Sequence, residues 1–325
     1  MSRSRSSRAV LTALMRRGWP SCASLPMNSA RRLSWLGMGF AALAVLVLGL
    51  ASAIAVARVD VSVPPHGQLV AACTQLLPTA SAVAVLVLLA LAGTVLARGL
   101  CSGLRAWLAH RRLRRRLCVV RTAWLDGVGF CVIAGDSEQA FCCGLLAPRI
   151  YVSEGAVGVL GERELRAVLA HEEHHRRRRD PLRLMIGAVI SDAMFFVPAL
   201  ARLHERYTVI AELAADEAAV RRTDRSALAS ALLRFTAPQP SGAVGIAPER
   251  VDHLLGRPTA WDLPLLAGAG SLIGLGLLVV AGVALAAQAA RVNVAMALMG
   301  SCMLVMTLAV IGALGGVVVA CRRRA

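Results

Sequence analysis

The sequence predicts a mainly α, polytopic membrane protein: four transmembrane helices and a cytoplasmic α+β domain carrying a small sheet. Three observations predict it. The 325-residue chain is 57% hydrophobic, with a mean hydropathy of +0.64, too apolar for an ordinary soluble protein although its length alone suggests about two globular domains. Four runs free of charge, 35–56, 80–97, 263–290 and 292–321, are close to or beyond the ~20 apolar residues that cross a bilayer. Between the second and third run, residues 98–262 switch to short alternating runs and an amphipathic helical pattern, enough for one core.

Orientation follows from charge. The formal charge is +17, and all 36 basic residues are arginine. Seven precede the first span, 24 lie between the second and third, and three close the chain at Arg322, Arg323 and Arg324. Only Arg58 and Arg291 occupy the other two connections. This asymmetry obeys the positive-inside rule at every crossing, which places both termini and the central domain in the cytoplasm of a cell whose inner membrane the chain crosses. The nine cysteines form no C-x-x-C pair, so they read as small apolar residues, not as a disulfide framework or metal knuckle.

Taken in order, residues 1–34 form an Arg- and Ser-rich tail, and Met27 or Met38 offers an alternative start. The first span ends near Ala51-Ser52-Ala53, which looks like a signal cleavage site. Its apolar run exceeds a signal core and its basic leader is long, so an uncleaved anchor is expected. Residues 57–79 make an external loop. After the second span a basic helix contains Arg111-Arg112-Leu113-Arg114-Arg115-Arg116, suited to anionic headgroups of the lipid bilayer. No aromatics interleave with that run, so no nucleic-acid partner is expected. The stretches 118–123, 130–134, 140–143 and 149–152 read as strands, punctuated by Gly135-Asp136. The acidic residues of Gly161-Glu162-Arg163-Glu164 suit a helix N-terminus. Residues 182–203 read as one further helix that packs on its predecessor, or equally dips into the bilayer. Spans three and four follow, and 322–325 form a basic tail.

The chemistry concentrates in Leu165–Pro181, LRAVLAHEEHHRRRRDP. His171-Glu172-Glu173-His174-His175 reads H-E-x-x-H. On a helix, His171 and His175 project from one face one turn apart, the spacing with which two imidazoles grip a single Zn2+. Glu172 stands beside them, placed to take a proton from attacking water. The bland alternative is an exposed helix of clustered charge.

Two histidines do not close a zinc site. The best third ligand is Glu212 in Ala211-Glu212-Leu213-Ala214-Ala215-Asp216. Glu212 and Asp216 share a helical face, and Ala214 and Ala215 let that helix approach the metal helix closely. Asp216 would accept a hydrogen bond from a ligating imidazole. His174, rotated away from the pair, and Asp180, expected to salt the arginine tract, are weaker candidates.

Here the chain resembles integral-membrane zinc peptidases of the gluzincin type. The resemblance rests on Ala140-Phe141-Cys142-Cys143-Gly144, Pro148-Arg149-Ile150-Tyr151-Val152, Glu164-Leu165, the His171–His175 motif, Arg179-Asp180-Pro181-Leu182 and Glu212–Asp216. It is most similar to the BlaR/MecR-type antirepressor metallopeptidases, through the Gly144–Ile150 stretch and the Arg-Asp-Pro-Leu. HtpX/Ste24-type membrane peptidases are the second choice. Arg250 also resembles a recurrent arginine of both groups. The chain ends within four residues of the last span, so the penicillin-binding sensor domain of the first group is expected to be missing, and a stimulus would come through a separate sensor subunit, the membrane or substrate supply.

The resemblance implies a zincin-like metallopeptidase domain at 98–262 with one zinc per chain. It implies hydrolysis of peptide bonds in a protein or peptide substrate, such as a repressor or a membrane protein, with Glu172 as general base. The transition-state stabiliser stays open among Tyr207, His204 and Arg250. The strand Ala140, Phe141, Cys142 and Cys143 would pair with extended substrate. The rival readings are membrane-protein quality control and a non-catalytic, zinc-stabilised signalling scaffold.

Overall fold

The computed structural model describes residues 26–60, 62, 64–65, 67–68, 80–235, 265–288 and 291–293. Arg250, most of the 57–79 loop, residues 294–325 of the expected fourth span and tail, and residues 1–25 lie outside them. The described residues are mainly helical, with three helices long and apolar enough to cross a membrane and two small sheets. The chain divides into two compact units.

The first membrane-length helix is α1 (Pro26–Ala57). Strand β1 (Val59–Asp60) follows, then α2 (Ala80–Arg116). The expected second span and basic helix are therefore one element, because nothing between Arg98 and Arg116 breaks a helix. At 37 residues it is about 55 Å long, well over the ~30 Å hydrocarbon thickness of a bilayer. The RRLRRR run thus lies roughly 20–28 Å of helix beyond the last apolar turn.

One unit gathers the apolar helix segments around Ala51, Ala55, Ala82, Val85, Leu88 and Leu285. Its third helix, α8 (Leu265–Ala287), ends against Arg58, whose guanidinium donates to the Ala286 carbonyl at 2.7 Å. Val292 and Asn293, expected to open the fourth span, instead form strand β6, parallel to β1.

The other unit carries the sheet. Strands β2 (Val119–Leu125), β3 (Val128–Ile133), β4 (Ala140–Cys143) and β5 (Arg149–Ser153) stand in the order β2-β3-β5-β4. β3 and β5 are parallel, the other pairs antiparallel. Asp126-Gly127, both at positive φ, make the tight β2–β3 turn that a two-residue hairpin requires. Alternation along the strands gives two apolar faces. Cys131, Ile133, Phe141, Cys143 and Tyr151 cluster with Leu113 and Leu117 at the end of α2. Val128, Phe130, Val132, Ala140, Ile150 and Val152 cluster with Val168 and Leu169.

Those last two residues belong to α4 (Glu162–Arg178), reached through the short α3 (Glu154–Val159). Glu164 opens α4 by accepting from the Gly161 N–H at 2.9 Å. Arg179 then adopts a left-handed conformation, φ 54°, and α5 (Asp180–Ala193) starts at once with Pro181 in its first turn. Residues 182–203 are not one helix. α5 stops at Ala193, and Pro198 begins α6 (Pro198–Arg222), since a proline is tolerated only in a helix's first turn. The expected 207–222 helix is the later part of α6. One further helix, α7 (Arg225–Arg234), is capped by Asp224 accepting from the Ala227 N–H at 2.8 Å.

Candidate metal centre

Helix α4 lies between the sheet and α6, and both contacts are written in small or apolar residues. Val168 and Leu169 face the strands, while Ala167 and Ala170 meet Ala219, Ala227 and Leu228. On α6, Ala211, Ala214 and Ala215 are buried as well. Alanine surfaces allow two helices to approach closely, which brings the polar face of α6 onto the H-E-x-x-H turn.

At that crossing His171, His175 and Glu212 converge. The two imidazole Nε2 atoms are 3.2 Å apart. Glu212 straddles them, Oε2 lying 3.5 Å from His171 Nε2 and Oε1 3.4 Å from His175 Nε2. Four tetrahedral ligands about 2.05 Å from a zinc ion stand about 3.3 Å from one another, so these separations fit one ion with a fourth position open.

The far side of each imidazole is also specified. His171 Nδ1 is 2.9 Å from Asp216 Oδ1, and His175 Nδ1 is 2.9 Å from Asp180 Oδ2. A carboxylate can only accept, so it holds the proton on Nδ1 and leaves the Nε2 lone pair for a metal. Both carboxylates are fully buried. Without a metal, burial pushes the His171 pKa down, but hydrogen bonds to Asp216 and Glu212 outweigh it and raise the value to about 10.

Asp180 is the residue that sequence reasoning placed differently. It keeps a loose pairing with Arg178, 3.8 Å from Nε, yet its carboxylate is turned inward onto His175 and also accepts from the Tyr207 hydroxyl at 3.3 Å. Arg179, in the left-handed region, ends α4 and lets α5 begin at Asp180. The only sequence signal was the Arg-Asp-Pro run next to the motif. His174 is outside the metal group; burial and the charge of His175 lower its pKa to about 4.

The remaining sequence candidates sit as follows. Glu172 is buried, close enough to Cys142 that, after burial itself, its charge is the main influence driving that thiol far above its ordinary pKa. The four residues of β4 are all buried, and their strand forms one end of the sheet. His204 packs on α5 so tightly that a Cβ on Gly187 would lie 2.6 Å from its Nδ1; burial lowers its pKa. Tyr207 donates to Asp180.

A helical chain with three membrane-length helices and a His-His-Glu group, its histidines buried, over a small sheet defines the class, a membrane metallopeptidase of zincin-like site. A family model described as BlaR1 peptidase M56 matches residues 50–248, and the chain belongs to that family. Membership implies metallopeptidase activity on a protein substrate, and the His171/His175/Glu212 group is of the gluzincin kind. A search of curated proteins found no match.

Proposed function

We propose that the chain is a zinc-dependent endopeptidase that cleaves a protein substrate at the cytoplasmic face of the membrane, in regulatory proteolysis of the repressor-cleaving type. The observation that carries this is the convergence of His171, His175 and Glu212 at tetrahedral spacing, with Glu172 one residue from the first imidazole. His171, His175 and Glu212 hold the zinc, which when bound acts as a Lewis acid on the scissile carbonyl and acidifies water. Glu172 accepts the proton of the attacking water and returns it to the leaving amine. Asp216 orients His171.

Substrate enters as an added strand on β4. Ser153 N–H donates to the Gln139 carbonyl at 2.9 Å. With the register Phe141↔Tyr151 and Cys143↔Arg149, alternation leaves the amide groups of Ala140 and Cys142 on the outer edge. Among the described residues no strand occupies that edge. Main-chain pairing of this kind binds extended peptide with little dependence on sequence.

The test uses the full chain in detergent. Glu172→Gln is expected to retain zinc while lowering cleavage about 10²–10⁴-fold. Comparative proteomics of cells carrying either form would then show the fragments that vanish. Unchanged cleavage by Glu172→Gln would remove the mechanism.

A further inference from the structure

Tyr207 is buried deep in α6, and its ring is packed by Leu33 and Leu203, with Phe40, Leu184 and Ile210 at the margins. Leu33 and Phe40 come from α1, Leu184 from α5. Three helices therefore fix one phenol. Burial first, then the Asp180 charge, raises its pKa, so the hydroxyl keeps its proton and acts as a donor. That proton points to Asp180 Oδ1 at 3.3 Å. The other oxygen, Oδ2, faces His175 Nδ1 at 2.9 Å. A carboxylate with both oxygens engaged in different directions cannot rotate without losing one partner.

We propose that Asp180 and Tyr207 act together as positioning residues for His175, with the inner end of α1 serving as the seat of the phenol. This deepens the metal-holding role given to His175 above and rests on it. Tyr207 thereby leaves the group of transition-state candidates, since its one hydroxyl proton is committed to Asp180. The consequence is directional. Anything that loosens the packing of α1 on Tyr207 frees Asp180 to turn, and the His175 imidazole loses its fixed tautomer and angle.

The experiment measures zinc affinity of the full chain in detergent by chelator competition, for wild type, Asp180→Asn, Tyr207→Phe and the double variant. Asp180→Asn is expected to weaken zinc about 10–100-fold. Tyr207→Phe, which removes one oxygen, is expected to weaken it severalfold. In the Asp180→Asn background the second change should add nothing, because the relay is already broken. An Asp180→Asn affinity within twofold of wild type overturns the inference. So does a Tyr207→Phe effect of the same size in both backgrounds, which would mark plain packing. Should Asp180→Asn fail to accumulate, Tyr207→Phe decides the matter. Its cobalt-loaded form should show a shifted visible band while metal-free thermal stability stays unchanged, and an unshifted band overturns the inference. None of these readouts requires proteolysis. Equal cleavage by wild type and Glu172→Gln would sink the peptidase reading alone, whereas unchanged zinc binding by Asp180→Asn sinks this one alone.

Discussion

The two imidazoles of the metal centre are four residues apart on one helix, yet they are supported in opposite ways. His175 leans on Asp180, five residues further along and brought back by a single left-handed residue. His171 leans on Asp216, which arrives only when α6 docks, and the same helix supplies Glu212 to both. One half of the site is thus made by local chain geometry and the other by tertiary packing. Zinc affinity in such a site should report how well α6 is docked, because metal binding and folding share the same contacts.

The sharpest way to break this contrast is at Glu212. Glu212→Gln should weaken zinc by more than the 10–100-fold that loss of a supporting carboxylate costs, as read by chelator competition. Wild-type affinity would mean that α6 supplies no ligand.

Next comes Asp216. Asp216→Ala leaves a buried imidazole N–H without an acceptor, a cost of about 1–3 kcal/mol, so metal-free thermal stability should fall together with zinc affinity. The matching change at Asp180 would strip the acceptor from both the His175 imidazole and the Tyr207 hydroxyl, so metal-free stability should fall there as well.

Protonation sharpens the comparison on the His171 side. With its pKa raised from 6.5 to about 10 in the metal-free fold, His171 is protonated at neutral pH, and zinc must expel that proton. Apparent zinc affinity should therefore climb about tenfold per pH unit as pH rises towards 10. Calorimetry in buffers of different ionisation enthalpy would count the proton released. The metal-free fold runs the other way. The stability it gains from protonated His171 is fully present below 6.5 and lost as pH rises through about 10.

The smallest effects belong to the hinge. Arg179 holds φ 54°, a region that glycine enters freely and β-branched residues resist. Arg179→Gly should leave thermal stability nearly unchanged, and Arg179→Val should lower it by about 1–3 kcal/mol.

The docked half of the centre was the more legible half. H-E-x-x-H and E-x-x-x-D are fixed spacings on helices, and helical spacing converts directly into shared faces. The alanines of α6 announced the close approach. Three membrane-length helices were equally readable, because about twenty apolar residues in a row have few other uses. The local half was hidden. Nothing in the residue types said that Arg179, with no glycine or asparagine in its place, would adopt a left-handed turn, so Asp180 read as a surface acid beside four arginines. The break in 182–203 was missed for a different reason: apolar periodicity ran through Pro198, and only its position at a helix start shows which side of the proline breaks. Tyr207 was one of three open candidates for the transition-state donor; its packing against Leu33 and Phe40 of α1 depends on a contact between distant parts of the chain.

Zinc-edge X-ray absorption of the full chain in detergent is the decisive measurement, since Cys142 lies close enough to Glu172 to feel its charge and a thiolate ligand would betray itself by zinc–sulfur scattering near 2.3 Å, roughly 0.2–0.3 Å beyond nitrogen or oxygen. One zinc per chain is expected, with two imidazoles and only nitrogen or oxygen in its shell, and that signal should be lost in Glu212→Gln. A sulfur shell, or an unaltered spectrum in Glu212→Gln, would contradict it.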